Sequence, residues 1–420
     1  MLHPNRSLRA IAASCLLVTL TSAPAHAWHR LPPGTDGWRA AGEPGIRGVT
    51  VGPIESSLFA GRGYGTESSA ALLDYLARRG VNWISITPFG RVFTLEDTRV
   101  RMDFEAPYED NRAAIRRMVA QAHARGIRVL LIPHLWVDTG GWRGEMDPGS
   151  PEAWAAYQAS YRDFVLAWAR DAAATGVDAF SIGVECKSWS GRFGGYWRGL
   201  IADVRAVFDG YLTYSANWDE AEDVIFWDQL DLIGINAFYP LADHDGASYE
   251  EYVQGALAAR DSVAALAGVL EMPVVFVEVG YTTRQNAAVE PWLWPDDMEE
   301  VVVDEREQAR ALAASLSAFL PEPWFAGFFV WRYYADLDDV SQEAIWGFSP
   351  HGKRAERVLE RVFAQRFGVD PDPWGWLRAP APPPPTLAEV IRRTERLYTD
   401  TVVDRPPPGS APPPPPREVL

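Results

Sequence analysis

The amino-acid sequence predicts a (β/α)8 TIM barrel, an α/β fold of one domain. Three observations lead there. Strand-like and helix-like stretches alternate eight times between about residues 45 and 368. The strand-like stretches are apolar runs rich in β-branched residues, the composition of parallel strands buried on both faces. The region they span is close to the length that eight such units occupy.

The first strand is read at residues 45–53 (GIRGVTVGP), between turn residues. Residues 66–79 follow as a helix, with Thr66 as N-cap, Glu67 in the first turn and Gly80 closing it. Residues 82–88 are the second strand, and residues 109–125 a helix ended by Gly126. The third strand is residues 128–136 (RVLLIPHLW). Its helix, residues 150–174, opens on Ser150 as N-cap with Pro151 at the first helical position, and Gly176 lies past its end. Residues 179–185 form the fourth strand and residues 196–208 the fourth helix. The fifth strand, residues 211–216, leads into a short helix around 220–227. Residues 230–238 are the sixth strand and 249–266 its helix; residues 273–281 (PVVFVEVGY) are the seventh strand and 305–319 its helix. Residues 325–333 and 354–367 complete the eighth unit. No second composition class interrupts the series, so residues 45–368 are one barrel with residues 28–44 as a lead-in.

The two ends read differently. Residues 1–27 have the parts of a secretory signal: Arg6 and Arg9, a short apolar run, and the small-residue site Ala25-His26-Ala27. The run is too short to span a bilayer. Cys15 lies in it, but Ala12-Ala13-Ser14 lack the leucine usual in a lipidation site. The expectation is a secreted or periplasmic protein whose mature chain keeps one cysteine, Cys186, read as a packed small residue. Residues 369–420 contain the proline runs around 381–385 and 411–416, with one short helical stretch at 387–398. They read as a disordered tail or linker. With 47% hydrophobic residues a large core is available, and a formal net charge of −17 argues against nucleic acid or an anionic membrane as partner. No span, metal or cofactor is expected, and a monomer is the expected state.

The candidate chemistry is at two strand ends. Glu185 ends the fourth strand and Glu278 the seventh. A carboxylate there is costly unless something needs it. Active sites of such barrels lie at the C-terminal strand ends. Alternation groups Ser181, Gly183 and Glu185 on one side of their strand, and Val274, Phe276 and Glu278 on one side of theirs. Two carboxylates facing across a barrel mouth are the parts of a glycosidase, one as acid/base and one as nucleophile. The chain has 18 Trp, many in βα loops or at strand ends: Trp136, Trp142, Trp189, Trp218 and Trp331. Indoles stack on the C–H faces of sugars, and His134, Asn217, Asn236, Tyr239 and Arg91 supply polar partners nearby. Trp331 is the expected platform under the reacting sugar, while Trp83, Trp154 and Trp168 read as core.

A Glu after strand four and another after strand seven resembles clan A of the glycoside hydrolases. Within it the chain is similar to glycoside hydrolase family 113, the β-mannanases. The matching stretches are Gly141-Trp142-Arg143-Gly144, Ser181-Ile182-Gly183-Val184-Glu185, Leu212-Thr213-Tyr214-Ser215-Ala216-Asn217-Trp218, Phe226-Trp227-Asp228-Gln229-Leu230-Asp231-Leu232-Ile233-Gly234-Ile235 and Glu278-Val279-Gly280-Tyr281. The resemblance implies a retaining, endo-acting hydrolase of β-1,4-mannan, with a polysaccharide or oligosaccharide substrate. It makes Glu185 the acid/base and Glu278 the nucleophile. The chain departs from much of the clan in having Val184 where an Asn binds the 2-hydroxyl. Tyr239 is the expected hydrogen-bond partner of Glu278. The alternatives are another β-glycan hydrolase or transglycosylase, and a carbohydrate-binding barrel without chemistry.

Overall fold

A computed structural model of the chain describes residues 31–52, 60–104, 106–293, 301–338 and 347–369. The expected signal segment, and the tail beyond Val369, lie outside the described residues. Eight parallel strands close into a barrel in the order β1 (Ile46–Gly52), β10 (Phe325–Tyr334), β9 (Val274–Val279), β8 (Ile233–Asn236), β7 (Tyr211–Asn217), β6 (Ala179–Val184), β4 (Arg128–Leu131) and β2 (Trp83–Ile86).

Two further strands, β3 (Phe89–Val92) and β5 (His134–Val137), pair in parallel above the rim. They split the expected single strand 128–136. Pro133 has no N–H to give the ladder, and the pairing resumes with the His134 N–H on the Pro88 carbonyl. The break lifts His134 and Trp136 clear of the closed barrel.

The helices are α1 (Gly37–Ala40), α2 (Glu67–Arg78), α3 (Tyr108–His123), α4 (Pro151–Thr175), α5 (Lys187–Ser190), α6 (Gly194–Arg205), α7 (Tyr249–Leu270), α8 (Glu305–Phe319) and α9 (Arg354–Phe367). Their ends follow from the capping chemistry. The Thr66 and Ser150 hydroxyls accept the N–H of Ser69 and Ala153. Gly176 closes α4 in the left-handed region, φ 74°. Helix α7 is long and apolar enough, by length and composition alone, to cross a bilayer; here it follows the sixth barrel strand and packs on α8. No helix covers 220–227: turns lead into one 3-10 turn at Trp227–Gln229.

The core has two layers. One fills the space between strands and helices and takes in Trp154 and Trp168. The other fills the barrel itself with Leu130, Val184, Leu232, Val275, Val277 and Phe329, and Trp38 and Trp83 join it. Trp189, expected at a sugar face, is fully buried and stacks on Trp197 with ring centroids 4.4 Å apart.

Candidate active site

Strand β9 does not deliver Glu278 by simple alternation. Val275 and Val277 face the barrel interior, whereas Phe276 faces outward, its ring centroid 4.5 Å from that of Phe319 on α8. Strict alternation would turn Glu278 outward too. The register breaks instead: Ile235 pairs with Phe276, but Asn236 pairs with Glu278. One extra residue on β9 makes a bulge that turns Glu278 back to the mouth. Strand β6 has the same kind of break, between Ser181 and Val184 against β7. It puts Val184 in the barrel interior, and Glu185 then takes a left-handed backbone, φ 49°. The expected grouping of Phe276 with Glu278, and of Gly183 with Glu185, is therefore corrected. Both carboxyls reach the mouth through local irregularities.

The cavity there has a volume of about 750 Å3, the size of a small-ligand site. Glu185 and Glu278 both line it, with aromatic walls from Trp136, Trp142, Trp218, Trp292, Trp331 and Phe348. His134 and Asn217 line it as expected. Asn236 lies behind, donating its amide N–H to Glu185 Oε1 at 2.9 Å. The other Glu185 oxygen accepts the Trp142 indole N–H at 2.9 Å and Arg143 Nη1 at 2.7 Å. Arg143 is itself held by its Nε on the Leu135 carbonyl.

Glu278 is placed differently. Burial first, and then the Glu185 charge, push its pKa well above the usual carboxylate range; Arg143 and Arg332 oppose this. Its nearest basic side chain is His134, Nε2 to Oε1 at 3.5 Å. Burial, Arg143 and Arg332 hold His134 well below its usual pKa, so this imidazole is neutral and the contact is no ion pair. The His134 ring lies parallel to Trp331, at 6.3 Å and 16°. Trp331 also packs with Phe238 and Phe348 and lines the cavity.

Besides Trp189, two expected site residues lie elsewhere. Tyr239 does not bond Glu278: it is one residue out of phase with Phe238, and its ring packs outward against Phe276 and Phe319. Arg91 sits on β3, outside the cavity lining, paired with Asp103 and Asp138. Sequence reasoning missed Arg143, Arg332, Trp292 and Phe348. Arg143 stood beside Trp142 in a stretch already singled out. Trp292, which stacks on Trp218 at 5.5 Å and 20°, sits in a long loop with no strand end to mark it.

A closed parallel barrel with two carboxyls in an indole-walled cleft at its C-terminal mouth is the architecture of a glycoside hydrolase. The sequence matches Glycoside Hydrolase Family 113 over residues 57–353. This chain belongs to glycoside hydrolase family 113. Its fold is similar to that of a family 113 β-mannanase, AaManA from Alicyclobacillus acidocaldarius in complex with ManMIm. The two are 29% identical, with a TM-score of 0.66, over 77% of this chain and 98% of that one. A second family 113 β-1,4-mannanase is 24% identical at a TM-score of 0.65, over 77% of this chain and 100% of that one. A family 5 mannosidase from Rhizomucor miehei shares the fold at 10% identity and a TM-score of 0.56, over 78% of this chain and 94% of that one. No curated protein matches the chain.

Proposed function

We propose that this chain hydrolyses β-1,4-linked mannan or manno-oligosaccharides with retention, Glu185 as acid/base and Glu278 as nucleophile. The observation that carries the mechanism is the pair of buried carboxyls at the ends of β6 and β9, facing one aromatic cleft. The substrate rests on the family and on AaManA, a β-mannanase. The positive start, apolar run and Ala25-His26-Ala27 site in residues 1–27 support action outside the cytoplasm.

In the first step a Glu278 oxygen attacks the anomeric carbon and the glycosidic C–O bond breaks. The leaving oxygen takes the proton of Glu185. In the second, water attacks the same carbon, its proton passes to Glu185, and the ester C–O bond breaks to release Glu278 as carboxylate. The positive charge that develops on the sugar favours an ionised Glu278, and Arg143 and Arg332 act in the same direction. A loss of charge on Glu278, once esterified, leaves Glu185 able to act as base. Trp331 offers a face for the reacting sugar.

One observation favours a second reading with the roles exchanged. Three donors converge on Glu185, whereas burial favours a protonated Glu278. Azide rescue separates the two. With an activated aryl glycoside, Glu185→Ala plus azide should give the β-glycosyl azide, because azide replaces water on an intact ester intermediate. Glu278→Ala plus azide should give the α-anomer, by direct displacement. The opposite pattern exchanges the roles, and an initial α-sugar from wild-type enzyme on a β-linked substrate refutes retention. A reducing-sugar assay over mannans, glucans and xylans tests the substrate: turnover of glucan or xylan but not mannan overturns it, and no turnover of any leaves a binding barrel.

A further inference from the structure

Glu220 is a buried carboxyl that the chemistry above does not use. It follows β7, in the loop that presents Asn217 and Trp218 to the cavity, and is itself fully buried. Its carboxyl reaches in two directions. Oε1 accepts the Tyr214 hydroxyl, and that hydroxyl oxygen accepts the Cys186 N–H at 2.6 Å. Oε2 accepts the Asn217 N–H at 3.0 Å, while the Glu220 N–H returns to the Asn217 carbonyl at 3.0 Å. The loop is therefore closed by both the backbone and the side chain of one residue.

Cys186 is the residue after Glu185, whose left-handed backbone is disfavoured for a side chain with a Cβ. Such a turn persists only where its surroundings hold it. Here the Ser215 carbonyl takes the Glu185 N–H at 2.8 Å and the Tyr214 hydroxyl takes the Cys186 N–H, with Glu220 behind Tyr214. Burial, with a smaller push from Glu185, raises the Glu220 pKa to about 7 against the hydrogen bonds from Tyr214 and Asn217. The Cys186 thiol, pushed up to about 12 by burial, adds no charge. A carboxyl this expensive to bury, linked through Tyr214 to the turn after one active-site carboxyl and bonded directly to the loop bearing an indole wall, has a task at the site.

We propose that Glu220 is a positioning residue: it ties the Glu185 turn to the Asn217–Trp218 loop, so that the proton donor and one wall of the cleft are held as a unit. The inference rests on Glu185 being the acid/base. Tyr214 is the arm towards Glu185, and the Asn217 N–H is the arm towards the wall.

The test is the dependence of kcat/KM on the leaving group, because an activated aryl leaving group needs no proton and a sugar leaving group does. Wild type, Tyr214→Phe, Glu220→Gln and Glu185→Ala are compared on a manno-oligosaccharide and on its activated aryl glycoside, with a thermal melt for each. Tyr214→Phe cuts only the arm to Glu185. It should lower kcat/KM on the oligosaccharide by about 10²-fold, the scale of a small misplacement of a catalytic group, and on the aryl glycoside by less than about threefold. Glu220→Gln loosens both arms and should lower both values, with a raised KM from the displaced Trp218. An equal loss on the two substrates in a folded Tyr214→Phe, or wild-type kinetics in Glu220→Gln, overturns the proposal while Glu185→Ala still discriminates between the substrates. If Glu185→Ala itself does not discriminate, the assignment of the acid falls and this inference with it.

Discussion

Arg143→Met is the substitution that most directly tests the electrostatics of the site. Arg143 donates to Glu185 at 2.7 Å, both side chains being only 10% exposed, so solvent screens the charge little. It is also one of the two guanidiniums that hold down the raised pKa of Glu278. The hydrogen bond it gives Glu185, one to a charged group, is worth about 1.5–3 kcal/mol. Glu278 feels Arg143 through the field rather than by contact. Removing a cation favours the protonated acid, so the shift is upward. The acidic limb of kcat/KM against pH reports the free enzyme's essential base, and it should move to higher pH on a soluble manno-oligosaccharide. Arg143→Lys keeps the charge and should recover most of the shift. An acidic limb within about 0.3 unit of wild type in a folded Arg143→Met would refute the reasoning, because Arg143 would then not govern the ionisation the reaction needs.

Glu278→Gln should abolish turnover without loss of fold; near-wild-type activity in the folded variant sinks the nucleophile. Its stability advantage should grow as pH rises: a carboxyl whose pKa is raised by burial costs the folded state increasingly between the ordinary carboxylate range and its raised value, and the amide carries no such charge. Thermal melts from pH 4 to 8 check the sign. Trp331→Ala should lower kcat/KM on polymer by about 2–3 kcal/mol, some 30- to 150-fold, and should also destabilise the fold, because the indole packs on Phe238 and Phe348. An unchanged kcat/KM would confine Trp331 to the core. Deleting residues 379–420 should leave turnover of soluble oligosaccharide intact, since AaManA aligns over 98% of its length with 77% of this chain; a truncated protein that unfolds or loses turnover would contradict this.

The sequence by itself determined the eight barrel strands and the helices that follow seven of them, because apolar periodicity and caps such as Thr66, Ser150 and Gly176 are local signals. It also placed Glu185 and Glu278 at the ends of the fourth and seventh strands, which the barrel then brings to one mouth. Which way those carboxyls point was decided by the tertiary structure alone. A bulge is a mismatch of register between two strands, and period-two alternation within one strand does not contain it. The same register turned Tyr239 outward to Phe276 and Phe319 and left Asn236 to bond Glu185. Pro133 was visible in the sequence, but that pairing resumes beyond it depends on Pro88, some 45 residues earlier, lending its carbonyl to His134. Arg143 reads as an ordinary charged residue and Glu220 as the start of a short helix until packing buries them. Their role comes from burial and from partners distant in sequence, a property of the assembled barrel and of no single stretch of chain.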